Sequence, residues 1–251
     1  MKLRIGVIGL GTEWDVRHGP ALRSLSDRYE VRAVCGEVAL RGEQVARQFN
    51  AVAVDGYQSL VQRSDIDAVL VLSGRWFGPL PILAACQQGK AVYCGPEWDY
   101  VDDQLASMQK NVDQAGIAFM ADLPRRVAPA TVRLKELIAT RLGQPRLLFC
   151  HHRHAIKSFA SNGRGTNPNS PEATMNRDLL QMVDWCQYVV GQHATSVNGF
   201  WHQSPSQAGA DYQTLSLDFS GEGVYGQGPL AQISCGMYMP TMWPEAISFR
   251  P

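Results

Sequence analysis

The chain has 251 residues, 45% of them hydrophobic and 18% charged, with 23 basic and 23 acidic side chains. That length and apolar content support one large or two ordinary domains with a real core. Zero net charge excludes nucleic acid or an anionic membrane as a partner held by bulk charge, and no apolar run approaches the ~18 residues of a membrane span.

The first predicted element is the apolar run Leu3 to Ile8, followed by Gly9-Leu10-Gly11-Thr12-Glu13-Trp14. A short apolar run ending in Gly-x-Gly reads as a buried parallel strand entering a glycine turn. Gly9 allows the tight turn. Gly11 lets the backbone approach a pyrophosphate held at the next helix N-terminus, with Thr12 in the same turn. The third glycine of the dinucleotide fingerprint belongs at position 14, where Trp14 stands, either covering the pyrophosphate or filling its place.

Helix then alternates with strand. Predicted helices run from His18 to Tyr29, Ala39 to Phe49, Tyr57 to Gln62, Pro79 to Gln88 and Val101 to Gln114. Predicted strands run from Val31 to Cys35, Ala51 to Val54, Ala68 to Leu72, Ala91 to Cys94 and Ile117 to Ala121. Such alternation implies a doubly wound parallel sheet with right-handed crossovers. The pattern changes near residue 123, which divides the chain into domains 1–123 and 124–251. The second domain reads as a helix from Pro129 to Thr140, a strand from Arg146 to His154, a loop from Phe159 to Ser170 and a helix from Thr174 to Val190. Three runs follow, Ser196 to Trp201, Tyr212 to Phe219 and Ala231 to Tyr238, which alternate polar and apolar residues as one-sided antiparallel strands do. The fold class is therefore α/β, a Rossmann sheet followed by an α+β domain with an open antiparallel sheet. Met239 to Pro251 ends without turn or cap, so the sheet is either completed by a partner or truncated in this chain; an unfinished edge favours an oligomer or missing residues.

Six cysteines are scattered without paired spacing, as buried free thiols are, and no signal-peptide pattern precedes the first strand. Both features point to a reduced, cytoplasmic protein. Cys150-His151-His152-Arg153-His154 is the most unusual run. On a strand, Cys150, His152 and His154 share one face. Thiolate with imidazole suits zinc, but without Cys-x2-Cys or His-Glu-x2-His no metal is assigned.

Several motifs in order and spacing carry a family resemblance. They are Ile5-Gly-Val-Ile-Gly-Leu-Gly11, His18-x-Pro20-Ala-Leu22, Ser64-Asp-Ile-Asp-Ala-Val69, Gly89-Lys90-x-Val92-x-Cys94, and Arg125-Arg126 with Pro129 and Leu134-Lys-Glu-Leu-Ile138. The chain resembles the glucose–fructose oxidoreductase / inositol dehydrogenase / MocA-like (Gfo/Idh/MocA) family from residue 3 to about residue 240. The resemblance implies a nicotinamide-binding first domain and a second domain carrying substrate and subunit contacts. It also implies hydride transfer between NAD(P) and a sugar, polyol or related small ring, in a homodimer or homotetramer built through the C-terminal sheet.

Four positions depart from the family's pattern. Trp14 is the first. The second is the acid after the second strand, whose place is taken by Gly36; Glu37, one residue on, is the shifted candidate, and Arg41 is within reach of a 2′-phosphate if the loop folds that way. Loss of the acid leans the cofactor slightly toward NADP. The third is the family's Glu-Lys-Pro triplet, which reads Gly95-Pro96-Glu97 here. The lysine is absent, and Glu97 is the neighbouring acid or base. The fourth is the Asp/His pair of the second-domain helix, whose places hold Arg177 and Gln181, with Asp178 rotated ~100° away. Gln181 can hydrogen-bond but cannot shuttle a proton. His154 and His152 are the replacement acids, and Ser73 completes the cofactor set with Gly9, Gly11, Thr12, Trp14, Glu37 and Arg41. With the usual lysine and histidine gone, the alternative is a catalytically inactive nucleotide- or metabolite-binding protein on the same fold.

Overall fold

The computed structural model of the chain describes residues 2–11, 13–95, 102–155, 171–204, 210–239 and 246–250. They fall into two units, Met1–Asp122 and Leu123–Pro251.

In the first unit the N-terminal apolar run is β1 (Leu3–Ile8), with β2 (Tyr29–Cys35) and β4 (Ala68–Val71) parallel on its two sides. Its side chains alternate between two cores, which is why the run shows no polar alternation. Ile5 and Val7 join Leu10, Trp14, Leu22 and Val45 on one face, while Ile8 joins Leu60, Ile66 and Ile82 on the other. Gly6 fits because a Cβ there would meet Leu60 Cδ2 at 2.4 Å. The remaining strands are β3 (Val52–Ala53), β5 (Ala91–Cys94) and β6 (Phe119–Ala121), giving the order β3-β2-β1-β4-β5-β6, every pair parallel. The order reverses direction between β1 and β4, the position at which doubly wound sheets open a ligand crevice. Covering helices are α1 (Gly19–Ser24), α2 (Ala39–Gln48), α3 (Tyr57–Val61), α4 (Gly74–Phe77), α5 (Leu80–Gln87) and α6 (Asp102–Ala115).

The second unit begins with α7 (Pro124–Val127) and α8 (Pro129–Leu137), the latter continuing as a π-helical turn that Gly143 ends at φ +73°. Strand β7 (Leu147–Ala155) and the long α9 (Pro171–Val190) follow, then β8 (Ser196–His202), β9 (Tyr212–Asp218), β10 (Leu230–Met239) and β11 (Ala246–Arg250). The sheet order is β11-β7-β10-β9-β8. It is mixed rather than wholly antiparallel, because β10 lies parallel to β7. The helical crossover and the β8–β9–β10 meander bring the chain back beside β7 in the same direction. The run after Met239, read in the sequence as ending without turn or cap, supplies β11 antiparallel to β7. Met175, Leu179, Met182, Cys186 and Val189 of α9 bury against Leu148, Cys150, Ile233 and Cys235 of the sheet. No helix among the described residues is long and apolar enough to cross a membrane.

Candidate functional site

The glycine turn after β1 is built as the fingerprint requires. Gly9 and Gly11 sit at φ +70° and +60°, where an L side chain is strained. Space forbids one as well. A Cβ on Gly9 would lie 2.4 Å from Ser73 Cβ, and one on Gly11 would lie 2.5 Å from the Leu72 carbonyl oxygen. The turn therefore presses against the end of β4, which leaves its outer side for a ligand's backbone-binding groups. Thr12, expected in the same turn, lies outside the described residues.

Three chain-distant residues meet there. Ser73, buried at the start of α4, donates its hydroxyl to Glu37 Oε1 and touches Gly9. Glu37 is exposed just past β2. Packing explains why the acid stands at 37 rather than 36. A Cβ on Gly36 would come within 2.9 Å of Gly42 Cα, so the close approach of α2 leaves position 36 no side chain. Arg41, the candidate for a 2′-phosphate, is paired instead with Asp15 at 2.8 Å on the surface.

Trp14 is placed differently from expectation. It is 2% exposed, inside the core with Val7, Leu22 and Val45, its ring edge-on to Phe49 at 5.8 Å. It therefore neither covers nor replaces a pyrophosphate. The extra residue before His18 is absorbed by a π-helical turn, Trp14–His18, in which Gly19 N–H donates to the Trp14 carbonyl. An i→i+5 turn holds one residue more than an α-turn, and it swings the indole inward beneath α1. Gly19 leaves the ring room, since a Cβ there would lie 3.3 Å from Trp14 Cε2. The same turn aims Arg17 at Asp122, a buried carboxylate past β6 held by two guanidinium hydrogen bonds of 2.5 and 2.8 Å. Trp76 and Phe77 lie on α4, where Phe77 packs on Tyr57 at 5.0 Å. Glu97 and Pro96 lie outside the described residues.

The second unit carries a separate polar cluster. In the run Cys150 to His154, alternate side chains do face α9, but they find different partners. Cys150 Sγ meets Cys186 Sγ at 3.5 Å, and that contact together with burial pushes the Cys186 thiol pKa up. His152 Nδ1 and His154 Nε2 converge on one oxygen, Asp178 Oδ2, at 3.2 and 2.7 Å. The helix makes this possible. Asp178 and Cys186 are eight residues apart, about 12 Å along α9, and four strand residues from His154 back to Cys150 span about 13 Å. Burial alone would push the Asp178 carboxyl pKa up. Hydrogen bonding and electrostatic interaction with His152 and His154 more than offset that and hold it at about 2. Cys235 joins from β10, directly beside His152 in the parallel register. On the opposite face His151 Nδ1 pairs with Ser234 Oγ at 2.6 Å.

Gln181 is engaged by Arg125, whose Nε donates to its Oε1 at 3.2 Å, while Arg126 forms a bidentate pair with Asp184 and lies over Tyr188. Both arginines thus anchor α7 to α9 within the second unit. Sequence reasoning ranked Asp178 as misdirected and did not weigh Cys235. The findable signal was that Asp178 lies two turns before Cys186, which sets both on the buried face.

A six-stranded parallel sheet with a positive-φ Gly-x-Gly turn at its switch point and an acid past β2 defines a Rossmann fold of the dinucleotide-binding type. Residues 3–95 match the Gfo/Idh/MocA family, described as an oxidoreductase family with an NAD-binding Rossmann fold. The resemblance read from the motifs is thus supported by the family model over residues 3–95. Inositol 2-dehydrogenase 3 of Saccharopolyspora erythraea is 31% identical over 159 residues, covering 61% of this chain and 46% of that protein. The matched region spans less than half the length of the curated relatives it resembles. Two solved structures share the fold. One is a putative NADPH-dependent oxidoreductase from Desulfitobacterium hafniense, with TM-score 0.82 and 16% identity, covering 99% of this chain and 69% of that one. The other is GenD2 from gentamicin A biosynthesis in complex with NAD, with TM-score 0.76 and 18% identity, again covering 99% and 69%.

Proposed function

We propose that the protein is an NAD-dependent oxidoreductase that exchanges hydride with an alcohol carbon of a small ring, a cyclitol or sugar. The observation that carries this reading is the meeting of Gly9, Ser73 and Glu37 at the switch point of the sheet. The two glycines fit the nucleotide, since a Cβ on either would close the turn on β4. Gly9 and Gly11 would present backbone N–H groups to the pyrophosphate, and Glu37 would accept hydrogen bonds from the adenosine ribose. When bound, the nicotinamide ring supplies the hydride donor or acceptor. The ring-alcohol substrate class is supported by the inositol dehydrogenase relative.

The sequence leaned toward NADP; the structural reading favours NAD. An exposed carboxylate past β2 repels a 2′-phosphate, and Arg41 is turned to Asp15. A charge-assisted hydrogen bond is worth about 1.5–3 kcal/mol, roughly ten- to a hundredfold in affinity. Glu37→Gln should therefore weaken NADH binding about tenfold and narrow or reverse the preference over NADPH. An unchanged ratio of the two dissociation constants contradicts the assignment of Glu37. A screen of cyclitols and aldoses, followed by the near-ultraviolet absorbance of NADH, then tests turnover. Tight NADH binding without turnover on any of them favours the alternative, a nucleotide-binding protein without catalysis. That alternative draws on Gln181, which stands at the family's histidine place and is held by Arg125.

We also infer self-association through the second unit's sheet. β8 is an edge strand, and Phe200 and Trp201 on it are 74% and 75% exposed. They border an open groove with Gln213 and Leu215. Bare edge strands with large apolar side chains are covered in stable proteins. Light scattering is expected to give a multiple of the 27.7 kDa chain mass. The monomer mass at micromolar concentration contradicts this.

A further inference from the structure

We propose that His152, His154, Asp178 and Cys235 form a binding site for a divalent transition-metal ion of the zinc class within the second unit. The site is independent of the nucleotide reading.

The four side chains come from three elements that the fold locks together. His152 and His154 stand two apart on β7, so both project toward α9. Cys235 of β10 is the register partner of His152, which sets it on the same face one strand away. Asp178 reaches down from the buried side of α9, between Met175 and Met182. One ligand atom from each, two imidazole nitrogens, a carboxylate oxygen and a thiol sulfur, lies within 4.8 Å of all the others.

Those separations suit a tetrahedral ion. With metal–nitrogen and metal–oxygen bonds of ~2.0–2.1 Å, neighbouring ligand atoms of a tetrahedron stand ~3.3 Å apart. His152 Nδ1 and Asp178 Oδ2 are 3.2 Å apart, and His154 Nε2 and Asp178 Oδ2 are 2.7 Å apart. The widest gap must close by about 1.5 Å to reach the tetrahedral edge, a movement that rotation about the thiol and imidazole χ angles supplies. The two imidazole rings already lie 4.0 Å apart between centroids at 39°, aimed at one point rather than stacked flat.

Ligand chemistry selects the ion. Calcium and magnesium take all-oxygen shells and are refused by three soft or borderline donors. Two imidazoles, one thiolate and one carboxylate are a zinc-type set, and cobalt(II) occupies such sites with the same geometry. Charge balances: the carboxylate and thiolate carry two negative charges, which a divalent cation cancels. A neutral site is what a buried location requires, since an uncompensated charge there is costly. Cys235 is fully buried, and the His154 and Asp178 side chains keep 12% and 15% of their surface exposed, which gives the ion its way in. Binding would cross-link β7, β10 and α9, so the proposal predicts stabilisation of the second unit as well as occupancy.

The test uses the whole chain, stripped with a chelator and titrated with cobalt(II) as the probe. Expected are one equivalent bound, the intense visible bands of tetrahedral cobalt, a thiolate-to-cobalt charge-transfer band, and displacement of all of these by zinc. Cys235→Ser should remove the charge-transfer band and Asp178→Asn should weaken binding at least tenfold, while Cys150→Ser, at the neighbouring thiol pair, leaves the spectrum unchanged. Zinc should raise the melting temperature of the native chain and not that of His152→Gln. The proposal is overturned if the native chain binds no cobalt, if the spectrum is the weak one of an octahedral ion, or if the charge-transfer band persists in folded Cys235→Ser. Should Cys235→Ser not fold, the native spectrum decides alone, since a bound ion lacking the thiolate band refutes the site.

Discussion

Gly9→Ala should abolish nicotinamide-nucleotide binding. The substitution asks an L residue to hold φ +70° and sets a methyl group 2.4 Å from Ser73 Cβ, with the Ser73 backbone nitrogen at 3.0 Å. Neither contact is the far end of a flexible side chain, so the turn itself must move. Left-handed backbone costs roughly 1–2 kcal/mol for a non-glycine residue before any clash is counted. Any movement of the turn also shifts Gly11, whose own Cβ position is filled by the Leu72 carbonyl. The ligand-facing amides would then point elsewhere, and Ser73 would be pushed away from Glu37. Calorimetry should show a loss of NADH affinity of at least two orders of magnitude with the second unit still folded. Gly78→Ala is the control. Gly78 also has positive φ, but nothing lies within 4 Å of its Cβ position, so its substitution should leave nucleotide affinity near the native value.

Trp14→Ala should unfold the first unit far more readily without weakening nucleotide affinity in the molecules that remain folded. A core tryptophan replaced by alanine removes a large buried ring and leaves a cavity, a loss of ~3–5 kcal/mol. Trp14 is among the largest fully buried side chains and touches Phe49 and the space left by Gly19. Denaturant melts measure the first effect and NADH titration below the transition measures the second. A native melting curve combined with lost nucleotide binding would return Trp14 to the phosphate-facing role that the sequence alone suggested.

The fate of Trp14 shows what the sequence carries and what it withholds. The alternation of strands and helices in the first unit was legible because the central strands β1 and β4 are buried on both faces and several turns are punctuated by glycine or proline. The parallel sheet followed from that alternation. The glycine turn was legible from spacing. Where the indole would go was not, because it depended on how one extra residue is absorbed, and the π-helical turn at Trp14–His18 is a packing solution rather than a composition signal. The shift from Gly36 to Glu37 was visible, but its cause, the contact with Gly42, needed the third dimension. In the second unit β8, β9 and β10 were legible from alternation, yet the pairing of β7 with β10 was not, since 83 positions separate Arg153 from Gly236, which lie opposite each other only through a crossover and a meander. That pairing brings Cys235 to His152, so a four-residue cluster read in one dimension as an isolated histidine run.

On the proposed function, the first unit holds a nicotinamide dinucleotide at the turn formed by Gly9 and Gly11. The most direct measurement is calorimetric titration of the native chain with NADH and, separately, with NADPH. Saturable micromolar binding of NADH at one site per chain, tighter than that of NADPH, is expected. Absence of binding of either nucleotide up to millimolar concentration would contradict it, and would mean that the glycine turn and Glu37 serve only to pack β1 against β4.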